Sequence, residues 1–251
     1  MRVLKVGGNE LNDPNFLAGL AAAIATLSKQ EPVVVVHGGG RAIADLHTQL
    51  GITTIKVDGL RVTSGRSLGI AEMVLSGQAN KLLVRALLSV GVDALGISGV
   101  DAQLLTAKKK VHPTTDLGYV GEIEAVKTDV LQRLLGQGFV PVVSPISADS
   151  NQQTYNINAD EAATAIASAL QADLFDFISN VPGVLNEGNL IPSLTILEAR
   201  ELIASGVVYG GMIPKVNAAL SAVEKGVKRT RIVNLAGLLK ESGTVFTHCG
   251  T

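Results

Sequence analysis

What most constrains this chain is a rhythm: short, nearly unbroken apolar runs alternate with longer stretches of helical periodicity. Residues 32–36, 140–144 and 174–179 read as strands in which apolar side chains do not alternate with polar ones. A strand of that kind needs cover on both faces, which a parallel sheet between two helical layers supplies. The remaining pattern agrees, with strands at 2–6, 93–97 and 231–235, and helices at 16–29, 41–50, 129–137, 159–170, 196–205 and 213–225. A helical tract spans 67–90, and 104–123 reads as an antiparallel excursion. We therefore expect an α/β fold, a three-layer αβα sandwich around a central, mostly parallel sheet. Pro/Gly/Ser-rich spacers of linker length are missing. The 251 residues are read as one domain with two lobes, 1–173 and 174–251, because a new strand opens at 174 and the segment after it holds its own Gly pair.

Bulk properties narrow the function classes. The formal net charge is −1, with 17% charged residues, so the basic excess of a nucleic-acid protein is absent. Lys108-Lys109-Lys110 is the one basic run, and a solvated hairpin or loop tip is its simplest reading. Cys249 is the only cysteine, which leaves neither an intramolecular disulfide nor a Cys-cluster metal site and suits a reducing cytoplasm. No apolar run approaches the ~20 residues of a membrane span, and no secretory leader pattern precedes the first strand. His37, His47, His112 and His248 lack tight metal spacing, so no protein metal site is expected.

Chemistry enters at the Gly-rich turns. Lys5-Val6-Gly7-Gly8 follows the first strand, His37-Gly38-Gly39-Gly40 follows the second, and Gly210-Gly211-Met212-Ile213-Pro214-Lys215 precedes a helix. Glycine leaves backbone N–H groups uncovered at a strand-to-helix turn, where the positive helix end also favours an anion. An ammonium beside such a turn neutralises what charge remains. Tight turns alone also use Gly pairs. Neither GxxxxGK[ST] nor GxGxxG occurs at these turns, which disfavours a P-loop and a hydride-transfer dinucleotide fold.

In Tyr155-Asn156-Ile157-Asn158-Ala159-Asp160, Asn158 suits an N-cap and Asp160 the first helical turn, so capping accounts for much of the segment. If Asp160 instead projects into a cleft, it pairs with both Lys5 and Lys215, and Asn156 donates to a substrate carboxylate. Arg61, in Gly59-Leu60-Arg61-Val62-Thr63, is either a surface residue or a fork for a carboxylate.

Taken together, and in their order along the chain, these five segments resemble the amino acid kinase family, over nearly the whole chain. The resemblance is to its members that phosphorylate N-acetyl-L-glutamate. It implies transfer of the ATP γ-phosphoryl group to the γ-carboxylate of that amino acid in arginine biosynthesis, with Mg²⁺ carried by the nucleotide. It implies that Lys5 and Lys215 stabilise the moving phosphoryl group and that Asp160 organises them. It assigns Gly38, Gly39, Arg61 and Asn156 to the amino-acid substrate. Gly7, Gly8, Ser179, Asn180, Val181, Gly183, Gly211, Met212 and Lys215 go to the nucleotide, held by the C-terminal lobe. A kinase of carrier-linked α-aminoadipate and a non-catalytic sensor of the same fold are the competing readings.

Three positions depart from the family pattern: Asn180 where Asp is usual, Ala102 where a Gly commonly follows Asp101, and Ser64 in place of a frequent Asp. The family's arginine-inhibited hexamers carry a helix before the first strand. The implied form here is a homodimer insensitive to arginine, with segment 67–90 as the expected interface.

Overall fold

The computed structural model describes residues 1–248, so Cys249 lies outside the described residues. In chain order the elements are β1 (Arg2–Val6), α1 (Pro14–Leu27), β2 (Val33–His37), α2 (Gly40–Gln49), β3 (Lys56–Val57), β4 (Leu60–Arg61), α3 (Gly65–Glu72), α4 (Asn80–Leu88), β5 (Ala94–Ser98), β6 (Leu105–Lys109), β7 (Gly121–Val126), α5 (Thr128–Gly136) and β8 (Val140–Ser144). There follow β9 (Ile146–Ala148), β10 (Thr154–Asn156), α6 (Ala159–Ala169), β11 (Leu174–Ser179), β12 (Leu185–Asn186), β13 (Asn189–Leu190), β14 (Ser193–Thr195), α7 (Ile196–Ala204), α8 (Met212–Glu224), β15 (Thr230–Asn234), α9 (Leu235–Leu238) and β16 (Thr244–Thr247).

The central sheet has the order β14-β16-β15-β11-β1-β2-β8-β5. Strands β15, β11, β1, β2, β8 and β5 run parallel, while β16 pairs antiparallel with β15 and carries β14 along in its own direction. The unbroken apolar strands explain themselves here. In β2, Val34 and Val36 face the layer built on α6 and α8, and Val33 and Val35 face the layer of α1 and α4. Every residue of β2 is buried, as period two requires when both sides are covered.

Three features differ from the expectation. The tract 67–90 is not one helix: a π-helical stretch, Met73–Ala79, separates α3 from α4. Strands β14 and β16 were not anticipated, being short elements of three and four residues at one end of the sheet with little periodicity to detect. Of the two readings for Lys108-Lys109-Lys110, the solvated hairpin holds and the loop tip does not. Lys108 and Lys109 end β6, and each lysine meets an acid: Lys108 lies 3.4 Å from Glu122, Lys109 2.8 Å from Asp116, and Lys110 2.9 Å from Glu161. The antiparallel partner β7 brings Glu122 opposite Lys108, a cross-strand charge pair.

At the amino-terminal ends of the strands, a buried ion pair fastens neighbours together. Arg231 Nε donates to Asp176 Oδ1 at 2.6 Å across the β11–β15 pair, and its other nitrogens reach the carbonyls of Leu238 and Ser242. Among the described residues no helix is long and apolar enough to cross a membrane.

Candidate active site

In an open α/β sheet, the loops beyond the carboxyl ends of the strands splay apart where the strand order reverses, and ligands bind in that crevice. Here β1 sits between β2 on one side and β11 on the other, and a cavity of about 810 Å³ opens past the ends of these three strands. Its wall includes Lys5, Gly7 and Gly8 from β1 and its turn, Gly38 to Gly40 after β2, Asn156 to Asp160, Ser179 and Asn180 after β11, and Gly211 and Lys215.

The two Gly turns touch. A Cβ placed on Gly8 would stand 2.4 Å from the Gly39 nitrogen and 2.5 Å from the Gly39 Cα, a separation real side chains do not tolerate. Glycine is needed there for backbone approach rather than for an unusual φ. Gly39 is similarly limited, by the Leu75 side chain 2.8 Å from its virtual Cβ. The N-termini of α2, α6 and α8 all border the cavity, through Gly40, Ala159 and Gly211 respectively. Three partial positive charges thus converge with two stretches of bare amide backbone.

The cations complete this field. Lys5 projects from β1, and its Nζ lies 2.8 Å from Asp160 Oδ1. Asn158 caps α6 by accepting the Asp160 N–H at 2.7 Å, which fixes the backbone that carries this carboxylate. Capping and cleft placement are therefore the same arrangement. Lys215, within the first turn of α8, donates to Ser179 Oγ at 2.7 Å and makes no ion pair with Asp160. The expectation that one carboxylate holds both lysines is corrected: Asp160 engages Lys5, while Lys215 reaches back onto the end of β11, where Ser179 is the nearer acceptor. Burial lowers the pKa of Lys215 and Lys5 adds to that, while Glu10 and Asp160 pull it back up.

Arg61 follows the Gly59 turn, whose φ of +81° suits glycine. Its Nη1 donates to Thr54 Oγ1 at 2.8 Å and its Nη2 to the Gly40 carbonyl at 3.0 Å, so the guanidinium is aimed across the cavity mouth rather than into solvent. Asn156 Nδ2 donates to Thr63 Oγ1 at 3.2 Å, and Thr63 in turn donates to the Arg61 carbonyl. These two residues therefore share one support, buried Thr63, although 95 residues separate them in the chain (156 − 61).

The cavity wall does not include Val181, Gly183 or Met212. Gly183, at φ +155°, packs its backbone against Thr244, whose hydroxyl accepts the Val184 N–H. Met212 lies against the hydrophobic core. Conversely, Glu10, Arg41, Thr54 and Lys56 line the cavity and were not singled out from the sequence. Lys56 and Thr54 precede the Gly59 turn on the chain that carries Arg61, a proximity that marks them in retrospect. Glu10 had no such signal. Its Oε2 is buried without a hydrogen-bond partner and would collide with a side chain on Gly7. Among the described residues, no group of three His, Cys, Asp or Glu side chains is placed to hold a metal ion.

Bare amides, converging helix N-termini and two lysines from opposite ends of the chain form a cleft whose charge and backbone suit an anion. The chain belongs to the amino acid kinase family, whose model matches residues 1–234. It is 48% identical over 247 residues to an acetylglutamate kinase of Chloroflexus aurantiacus, covering 98% of this chain and 96% of that protein. A second acetylglutamate kinase, from Roseiflexus castenholzii, is 50% identical over 245 residues, with 97% and 93% covered. Among solved structures, an N-acetylglutamate synthase from Neisseria gonorrhoeae complexed with coenzyme A and N-acetyl-glutamate superposes with a TM-score of 0.86 at 26% identity. That match covers 100% of this chain and 60% of the synthase.

Proposed function

We propose that this chain transfers the γ-phosphoryl group of ATP to the γ-carboxylate of N-acetyl-L-glutamate, producing an acyl phosphate in arginine biosynthesis. The observation that carries this reading is the contact of the Gly8 and Gly39 backbones within the cavity that Lys5 and Lys215 line. Relatives of near-identical length named acetylglutamate kinase support the choice of acceptor.

The acceptor carboxylate is ionised at neutral pH, far above a pKa of ~4, so it attacks without a general base. What remains is in-line positioning and neutralisation of charge on the moving phosphoryl group. Gly8 and Gly39 N–H groups cradle its oxygens, Lys5 is steadied by Asp160, and Lys215 approaches from the opposite lobe. Arg61 and Asn156, braced by Thr63, grip the acetylglutamate. Gly7, Ser179, Asn180 and Gly211 border the ATP phosphates. Mg²⁺ accompanying the nucleotide supplies further neutralisation, and the buried unpartnered oxygen of Glu10 suits a cation beside those phosphates. On this reading residues 1–173 hold the amino acid and 174–251 the nucleotide. The protein works in the cytoplasm as a homodimer through α3 and α4, whose segment exposes Met73 and Leu88.

A carrier-linked acceptor would call for an uncommitted basic patch, and the Lys108-Lys109-Lys110 run is already paired with Glu122, Asp116 and Glu161. Hydroxamate trapping with ATP and a panel of N-acetylglutamate, glutamate, aspartate and N-acetyl-aminoadipate tests the assignment. Acyl phosphate forms fastest with N-acetylglutamate; no product with any acceptor would favour a sensor instead.

A further inference from the structure

His37 ends β2 directly before Gly38 and Gly39, and it is fully buried. The reaction gives it no proton to move, and its ring is nonetheless bonded at both nitrogens. Its Nδ1 lies 3.1 Å from the Gly38 carbonyl oxygen, and its Nε2 lies 3.1 Å from Asn80 Nδ2.

The protonation of this ring follows from its partners. The Asn80 amide nitrogen also faces the Val142 carbonyl at 2.9 Å, while its oxygen accepts from the Lys81 ammonium at 3.0 Å. The nitrogen end is therefore a donor, so His37 Nε2 must accept through its lone pair. The Gly38 carbonyl only accepts, so Nδ1 must carry the proton. Both contacts demand the same neutral tautomer. A second proton on Nε2 would point at an N–H group. Burial pushes the His37 pKa down to about 4, and the nearby Lys81 charge acts in the same direction.

The consequence reaches the catalytic turn through one peptide. In a trans peptide, C=O and N–H point in opposite directions, and the chain contains no cis peptide among its described residues. Holding the Gly38 carbonyl against the buried imidazole turns the Gly39 N–H away from it. That Gly39 N–H donates to no protein acceptor among the described residues. The device rests on the π-helical stretch that precedes Asn80 in the chain, and on Gly96, where any Cβ would sit 2.0 Å from Asn80 Oδ1.

The geometry points to His37 as a positioning residue, fixed as the Nδ1–H tautomer by Asn80, that locks the Gly38–Gly39 peptide so its N–H is presented to the transferred phosphoryl group. This deepens the phosphotransferase reading and rests on it for the identity of the anion.

Two measurements test it. With ¹⁵N-histidine-labelled full-length protein, long-range ¹H–¹⁵N spectra distinguish ring tautomers, and four histidines keep assignment simple. The His37 ring stays neutral and Nδ1-protonated from pH 5.5 to 8.5; an Nε2–H tautomer or a titration near 6.5 overturns the proposal. Kinetically, His37→Phe keeps a ring but loses the donor, whereas His37→Asn places an amide N–H where Nδ1–H stands. His37→Phe lowers kcat at least tenfold with both KM values within threefold, and His37→Asn returns kcat to within threefold of the parent. Equal loss in both folded variants, or no loss in either, refutes the lock. The spectra decide if His37→Phe fails to fold. A parent chain that makes no acyl phosphate yet shows the Nδ1–H ring would sink the functional assignment while leaving the peptide lock standing.

Discussion

Replacing Gly8 with Ala tests the meeting of the two glycine turns most directly. The new methyl would lie 2.4 Å from the Gly39 nitrogen, 2.5 Å from its Cα and 2.7 Å from the Gly38 carbonyl carbon. All three are backbone atoms, so no side-chain rotation relieves the contact. Restoring a separation of ~3.4 Å requires the turns to part by roughly 1 Å. A displacement of that size at a reacting centre costs on the order of 10²-fold in rate, or about 2.7 kcal/mol of transition-state stabilisation. The overpacking itself destabilises the fold by about 1–3 kcal/mol, which for a chain of this length lowers Tm by several degrees. Initial rates of acyl phosphate formation, measured beside thermal unfolding, separate the two effects. Gly136→Ala is the control, since nothing lies within 4 Å of its added Cβ and α5 is remote from the cavity; it leaves kcat unchanged. A Gly8→Ala protein that keeps kcat within threefold of the parent would mean the turns do not cradle the phosphoryl group together.

Removing either ammonium, by Lys5→Ala or Lys215→Ala, lowers kcat about a hundredfold or more, and near-normal turnover in both would reject the two-lysine arrangement. Because burial holds the Lys215 pKa below its usual 10.5, the alkaline limb of kcat/KM falls below that pH in the parent and moves upward in Lys215→Arg, provided the variant turns over; an unmoved limb assigns the titration elsewhere. Arg61→Ala raises KM for N-acetylglutamate far more than KM for ATP, and equal rises would reassign the residue. For stability, the His37 pKa is lowered from 6.5 to about 4 in the folded chain, so the unfolded chain binds the extra proton between those values. Its contribution is complete above pH 6.5 and declines as pH falls toward 4, by up to about 3 kcal/mol. Chemical denaturation across that range yields a shallower slope in His37→Asn, and an identical slope would contradict the buried neutral ring.

The central sheet was legible because its strands announce themselves: 2–6, 140–144 and 174–179 coincide with β1, β8 and β11, the last two apolar enough to need cover on both faces. Elements that depend on partners were not. β14 gains its identity from lying beside β16, and nothing in Ser193-Leu194-Thr195 alone demands a strand. The π-helical stretch at Met73–Ala79 was invisible for a related reason, since one extra residue per turn hardly disturbs an apolar pattern. At the site, the Gly turns and both lysines were readable because their chemistry is local to a few consecutive residues. The partner of Lys215 was not, because choosing Ser179 over Asp160 depends on the distance between α8 and the end of β11. Likewise, the lysine run looked free until β7, the loop before it and α6 supplied Glu122, Asp116 and Glu161.

The position of β1 has a consequence in time. One side of this strand pairs with β2, complete by residue 37, but its other side pairs with β11, whose register places Ile178 opposite Val6. On a ribosome adding about 5–20 residues per second, the 172 residues between these partners (178 − 6) take roughly 9–34 s to appear. Throughout that interval the emerging chain carries an open strand edge beside the apolar side chains of Val3, Leu4 and Val6, the kind of surface that recruits chaperones or neighbouring nascent chains. The protein becomes safe from aggregation and competent for catalysis at nearly the same moment, when its last third arrives.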